Sequence, residues 1–317
     1  PVPRPRRSLV WVSRQGEEEP VGAPPAAYWG VSTSPDGTRI ALDAGGQDGN
    51  ADIWIWDVAR RGMSRLTVDA AHDMFPMWWP DGQRVLFESH RDGDGMVYSR
   101  ASDGAGPVTL VNESSAHQIP QSVSADGKLL VVREFHPNSE GDLALVSLAS
   151  EPRTTPLVRT PFDEAHAVLS PDGRWLAYHS NESGVFEVYV RPFPDADTAR
   201  WPVSTGGGLK PLWNPDGSEL FYWDAAESAL MAVPVATSPR FSAGTPARLF
   251  QGQYFQASRD GRGAGAGHTR RTYDVAPGGQ RFLMIKADGP PDDSANPSQL
   301  VLVQNWLEEL KARVPTN

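Results

Sequence analysis

Ser34-Pro35-Asp36-Gly37, followed by the apolar run Ile40-Ala41-Leu42, is a cassette that the chain repeats to its end. It returns as Trp79-Pro80-Asp81-Gly82 before Val85-Leu86-Phe87, as Ser124-Ala125-Asp126-Gly127 before Leu129-Leu130-Val131, and as Ser170-Pro171-Asp172-Gly173 before Trp175-Leu176-Ala177-Tyr178. Two more copies are Asn214-Pro215-Asp216-Gly217 before Leu220-Phe221-Tyr222 and the worn Ala276-Pro277-Gly278-Gly279 before Phe282-Leu283-Met284. The first five start 44 to 46 residues apart, and the last gap is 62. A period in this range is that of a four-stranded propeller blade. Six cassettes therefore predict an all-β, six-bladed propeller.

The cassette has a physical reason. Proline presets φ at the second position of a tight turn, aspartate suits the third, and glycine accepts the left-handed conformation that closes a bulged hairpin. Turn chemistry alone accounts for these residues.

Composition narrows the function classes. The 317 residues, with 39% apolar content, 11 Trp, 11 Phe and 7 Tyr, supply a core, while 30 Gly and 29 Pro favour turns over long helices. A repeat across nearly the whole length favours one domain, 8–317, preceded by a Pro/Arg linker, 1–7, that reads as cut from a larger protein. No run of about 18 apolar residues predicts membrane insertion. A net charge of −10 argues against nucleic acid as a partner. The absence of cysteine excludes disulfides, thiolate metal sites and a cysteine nucleophile. A monomer is expected.

Each period reads as four short strands. In the second they fall at 75–78, 85–88, 96–100 and 107–111, from the axis outward. The second strand of each period is apolar almost throughout, as expected if blades cover both its faces. The ends of the chain complete the ring: Leu9-Val10-Trp11-Val12 supplies a third strand with an outer strand near Pro20-Val21, and 273–275 and 281–285 supply the missing inner pair. Leu300-Val301-Leu302-Val303 competes for the third-strand slot, and 306–313 reads as a short amphipathic helix. The long last gap holds a Gly- and Arg-rich insert, 251–271, that is either an unstructured loop or a lid.

Propeller topology gathers distant links around one channel mouth. His72, His117, His166 and His268 fall in the interblade links, and His90, His136 and His179 follow second strands on the same face. His72, His117 and Asp163 stand at one repeat position, with Tyr28, Asp73, Gln118, Glu164, Lys210 and Arg270 close by. Such a mixed set suits an anionic small molecule or a divalent metal (Ca, Mn or Zn) held by His72, His117, His166 and His268. It is equally what duplicated polar loops leave behind. No nucleophile elbow, phosphate loop, His-Glu-x-x-His or dinucleotide fingerprint is present.

The cassettes, with Glu187-Val188-Tyr189-Val190-Arg191-Pro192-Phe193-Pro194, resemble the TolB-like six-bladed propellers. The stretches Leu9-Val10-Trp11-Val12-Ser13-Arg14-Gln15-Gly16 and Gln304-Asn305-Trp306-Leu307-Glu308-Glu309-Leu310 are similar to the start and end of the extracytoplasmic propellers that follow the kinase domain of bacterial serine/threonine kinases. The resemblance implies a periplasmic or otherwise extracytoplasmic sensor or interaction module of a larger protein, binding a protein, peptide or small-molecule ligand. No kinase motif is present. TolB-like propellers also include oligogalacturonate lyases, which hold a metal through a His and Gln cluster at the channel.

Two readings follow. One is a non-catalytic recognition domain. The other is a metal-dependent hydrolase or lyase acting on an ester, phosphoester, lactone or uronide. In that reading Glu164 or Asp73 is the general base and Lys210 or Arg270 holds an anionic group.

Overall fold

Each cassette closes a hairpin in the way its residues require. In the computed structural model, Gly37, Gly82, Gly127, Gly173, Gly217 and Gly279 all have φ between 67° and 75°, the region open to glycine at no steric cost. In three turns a serine hydroxyl donates to the aspartate: Ser34 to Asp36, Ser124 to Asp126 and Ser170 to Asp172. The structure describes residues 6–46, 49–136, 140–149, 152–256 and 270–287.

The strands run in chain order. β1 (Arg7–Ser13) and β2 (Glu18–Pro20) come first, then blade one: β3 (Ala27–Thr33), β4 (Arg39–Gly45), β5 (Ala51–Asp57) and β6 (Gly62–Arg65). Blade two is β7 (Asp73–Trp78), β8 (Arg84–Ser89), β9 (Met96–Ala101) and β10 (Thr109–Leu110). Blade three is β11 (His117–Val123), β12 (Leu129–Phe135), β13 (Asp142–Ser147) and β14 (Arg153–Val158). Blade four is β15 (Glu164–Leu169), β16 (Trp175–Ser180), β17 (Glu187–Pro192) and β18 (Trp201–Pro202). Blade five is β19 (Leu209–Trp213), β20 (Glu219–Asp224) and β21 (Ala229–Ala236), with β22 (Ser242–Ala243) and β23 (Ala247–Gln251) both paired to β21.

The sixth blade contains β24 (Tyr273–Val275) and β25 (Arg281–Ala287) and has the order β2-β1-β25-β24. The two ends of the chain thus close the ring, in unbroken antiparallel register from Arg7 with Ala287 to Ser13 with Arg281. β1 begins at Arg7, inside the stretch expected to be linker. The Arg7 side chain is buried and donates to the Tyr28 carbonyl at 2.7 Å, which ties the first strand to blade one. The rival strand at 300–303 and the helix at 306–313 lie outside the described residues; among the described residues no helix occurs.

The core lies in the seams between blades. Second-strand residues such as Leu42, Leu86, Val131, Leu176 and Phe221 are fully buried, because each blade packs on two neighbours. Apolar clusters join blades one and two through Ile53, Trp78 and Phe87, and blades two and three through Leu86 and Val132. Burial of this kind contributes about 25 cal/mol per Å² of apolar surface. Polar stitches cross the same seams: the Trp78 indole donates to Ser32 O at 2.9 Å and the Trp213 indole to Val168 O at 3.1 Å. The outer strands β2 and β10 are short and exposed, which blunts those sheet edges. β10, at Thr109–Leu110, is shorter than the expected 107–111.

Candidate functional site

Antiparallel pairing puts the start of each inner strand beside the end of the second strand. His117 pairs with Phe135, next to His136, and Ala165 pairs with His179. The six described histidines thus sit at one end of the hairpins. His268 lies outside the described residues. His117 opens β11 and His166 lies within β15, so both belong to inner strands and not to the links.

Bulges then sort the side chains. The inner-strand register shifts between Met74 and Met77, between Ala165 and Val168, and between Leu209 and Leu212. At the heart of these bulges Phe75, His166 and Lys210, each four residues before its cassette, have φ of 56°, 53° and 56°. Positive φ on bulky residues costs energy that a fold tolerates where it re-aims a side chain. Phe75 and His166 line a cavity of about 30 Å³ together with Gly30, Pro120, Arg270 and Arg271. That volume holds about two water molecules.

Basic side chains gather around this cavity. Arg270 pairs with the buried carboxylate of Asp43 and lies over the Phe75 ring at 4.7 Å. Arg271 stands 3.7 Å from Asp274. The Lys210 ammonium donates to Thr272 Oγ1 at 2.8 Å and Gln256 Oε1 at 2.9 Å. Burial pulls it down to about 7. Burial, together with the charges of Lys210 and Arg271, also holds His166 neutral, well below the usual imidazole range. The His166 ring contacts the Arg270 carbonyl at 3.1 Å.

The other expected mouth residues face elsewhere. Asp73 is bound by Arg91 at 3.1 and 3.2 Å, and Gln118 spans Asn112 of the preceding link and Glu134 of blade three. Glu164 accepts from Thr160 and Ser180, and burial lifts its carboxyl to about 7. Asp163 pairs with the fully buried Arg133, and the Tyr28 hydroxyl donates to the Pro24 carbonyl. His72 Nδ1 accepts from the Ala51 amide at 3.1 Å. His72, His117 and His166 therefore do not come together as one ligand set. His117 instead meets Glu88 and His90. Among the described residues these three are the one group of His and carboxylate donors close enough to hold a metal.

A family model described as the TolB beta propeller domain matches residues 13–165, and the six closed blades complete the likeness. The chain is a six-bladed propeller that resembles the TolB propellers. Similar solved structures include a TolB from Agrobacterium tumefaciens, with 17% identity, a TM-score of 0.69, and coverage of 90% of this chain and 99% of that one. An oligogalacturonate lyase in complex with manganese is 13% identical with a TM-score of 0.54, covering 83% and 90%. A 6-phosphogluconolactonase-like protein from Bacteroides uniformis is 14% identical with a TM-score of 0.53, covering 90% and 92%. At these identities the likeness is one of fold.

Sequence reasoning on this TolB-like propeller missed Asp43 and Glu88. A signal existed: both stand nine residues after the start of a cassette, as carboxylates inside otherwise apolar second strands. The same position holds Arg133 and His179 in the next two blades. From there each side chain reaches the following blade: Asp43 the Phe75 amide, Glu88 His117, Arg133 Asp163, and His179 the Lys210 amide.

Proposed function

We propose that this propeller is a non-catalytic recognition domain that receives a protein, peptide or small-molecule ligand at the channel mouth, through an acidic group on that ligand. The observation that carries this reading is Lys210: a buried ammonium with neutral hydrogen-bond partners, whose charge is felt by His166 of the cavity that Arg270 and Arg271 also line, on a chain of net charge −10. An unpaired buried cation is costly, and an incoming carboxylate or phosphate offsets that cost. A cavity of about 30 Å³ admits no sizeable substrate, so the bulk of a ligand rests on the rim and only a small group enters. Such a domain serves as an extracytoplasmic sensor or interaction module within a larger bacterial protein.

A second reading, a metal-dependent hydrolase or lyase, draws support from Glu164, whose carboxyl is lifted into the range of a general base.

Calorimetry with peptides ending in a free carboxylate, against their amidated counterparts, tests the first reading. The carboxylate forms should bind and Lys210→Met should abolish it. Equal binding of the amidated forms would remove the acidic-group element. Turnover of an ester, phosphoester or uronide that Glu164→Gln abolishes would overturn the non-catalytic reading.

A further inference from the structure

We propose that Glu88, His90 and His117 bind one divalent transition-metal ion, Zn²⁺ foremost, at the seam between blades two and three. The site is separate from the channel and does not rest on the recognition reading. Glu88, near the end of β8, and His90, just past it, are two residues apart, a spacing that puts both side chains on one face. His117 opens β11 of the next blade.

Both imidazoles aim at the same oxygen. His90 Nε2 lies 3.0 Å from Glu88 Oε1, His117 Nε2 is in close contact with it, and the three donor atoms lie within 4.8 Å of one another. Donors at 2.0–2.2 Å from a tetrahedral zinc ion are roughly 3.3 Å apart, so small side-chain shifts suffice to take up the ion. Meanwhile Glu88 Oε2 is buried with no hydrogen-bond partner. A carboxylate serving two hydrogen-bond donors is better satisfied by giving one oxygen to each, and a bare buried oxygen is destabilising. A cation taken by both oxygens removes that cost.

The surroundings keep the site open. Gly95 covers it with backbone alone: a Cβ there would stand 2.2 Å from Glu88 Oε1 and 2.6 Å from His117 Nε2. The His90 and His117 side chains are 37% and 32% exposed, which leaves an entry path to a carboxylate that is itself 1% exposed. Two imidazoles with one carboxylate suit zinc and its neighbours. Calcium, which takes six to eight oxygens, does not fit this donor set. The bound ion ties β8 to β11, and water takes an additional, open position.

The test is calorimetric titration of the chelator-treated chain with Zn²⁺ at pH 8, with thermal unfolding followed in parallel and Co²⁺ used for visible absorption. One ion per chain, a raised Tm and a four-coordinate cobalt spectrum are expected. Loss of an outer partner alone weakens metal sites 10–100-fold, so Glu88→Gln and His117→Ala should cost at least ~100-fold in affinity. His90→Ala, at a partly exposed position, keeps the test valid if the buried variants fail to fold, and it should also weaken binding. Lys210→Met should leave binding unchanged. Absence of stoichiometric binding, or equal affinity in His90→Ala, would overturn the proposal.

Discussion

The Lys210 ammonium stands 2.8 Å from the Thr272 hydroxyl, both side chains buried, and among the described residues no carboxylate forms an ion pair with it. Burial therefore acts on this lysine unopposed and brings it down to about 7, from 10.5 when exposed. Between these values the unfolded chain binds more protons than the folded one, so stability rises with pH across that window and is lost as pH falls towards 7. Lys210→Met should remove this dependence and be more stable near pH 7, by on the order of 4 kcal/mol. Urea unfolding of both proteins from pH 6 to 10 measures it. Parallel curves would show that the lysine is solvated.

The same lysine gives binding a signature. An acidic ligand beside it restores the charged form, so association near pH 8 should take up protons. Calorimetry in buffers of different ionisation enthalpy reads the number directly. Binding of acidic peptides without proton uptake would place the contact away from Lys210.

Glu164 is perturbed in the opposite sense. Its carboxyl rises from 4.5 to about 7, first through burial and then through the nearby charges of Asp142 and Asp163, against the hydrogen bonds of Thr160 and Ser180. The folded state holds the proton more tightly, so stability falls as pH rises from about 4.5 to 7. Glu164→Gln keeps a neutral side chain at this position and should gain on the order of 3 kcal/mol at pH 8, with little change at pH 4. Denaturant midpoints at the two pH values check this, and an equal shift at both would contradict it.

Two cassette glycines separate backbone strain from crowding. Gly127 and Gly173 have φ of 71° and 69°, but a Cβ on Gly127 would meet the Trp79 indole nitrogen at 2.9 Å, whereas Gly173 has no atom within 4 Å. Gly173→Ala should cost about 1 kcal/mol, the conformational penalty alone. Gly127→Ala should cost distinctly more. Equal losses in urea unfolding would mean that Trp79 yields freely.

Ring closure depends on packing as well as register. Leu283, fully buried on β25, pairs with Trp11 of β1. Leu283→Ala should cost about 2–5 kcal/mol. A loss under about 1 kcal/mol would show that this seam collapses around the gap.

The blade count was legible along the chain, whereas the order of strands in the closing blade was not, since Leu9-Val10-Trp11-Val12 and Leu300-Val301-Leu302-Val303 competed for one slot and pairing decided it for the first. The turn residues act locally, and the alternation of apolar runs with Pro-Asp-Gly recurs at a fixed period, so neither needs a long-range contact to be read. The division of the polar residues was not legible. Asp73, Gln118 and Glu164 stand close in sequence to the bulge positions, yet they serve their own blades, because the inner-strand bulges turn Phe75 and His166 into the cavity and leave these neighbours paired within their blades. Nor could spacing bring Glu88 to His117, 29 residues away, since that meeting depends on how one blade leans on the next. Sequence alone determined the repeat and its turns. Tertiary packing decided which charges are paired, which are buried without a partner, and which histidines share a carboxylate, because those outcomes depend on side-chain direction across a seam and not on distance along the chain.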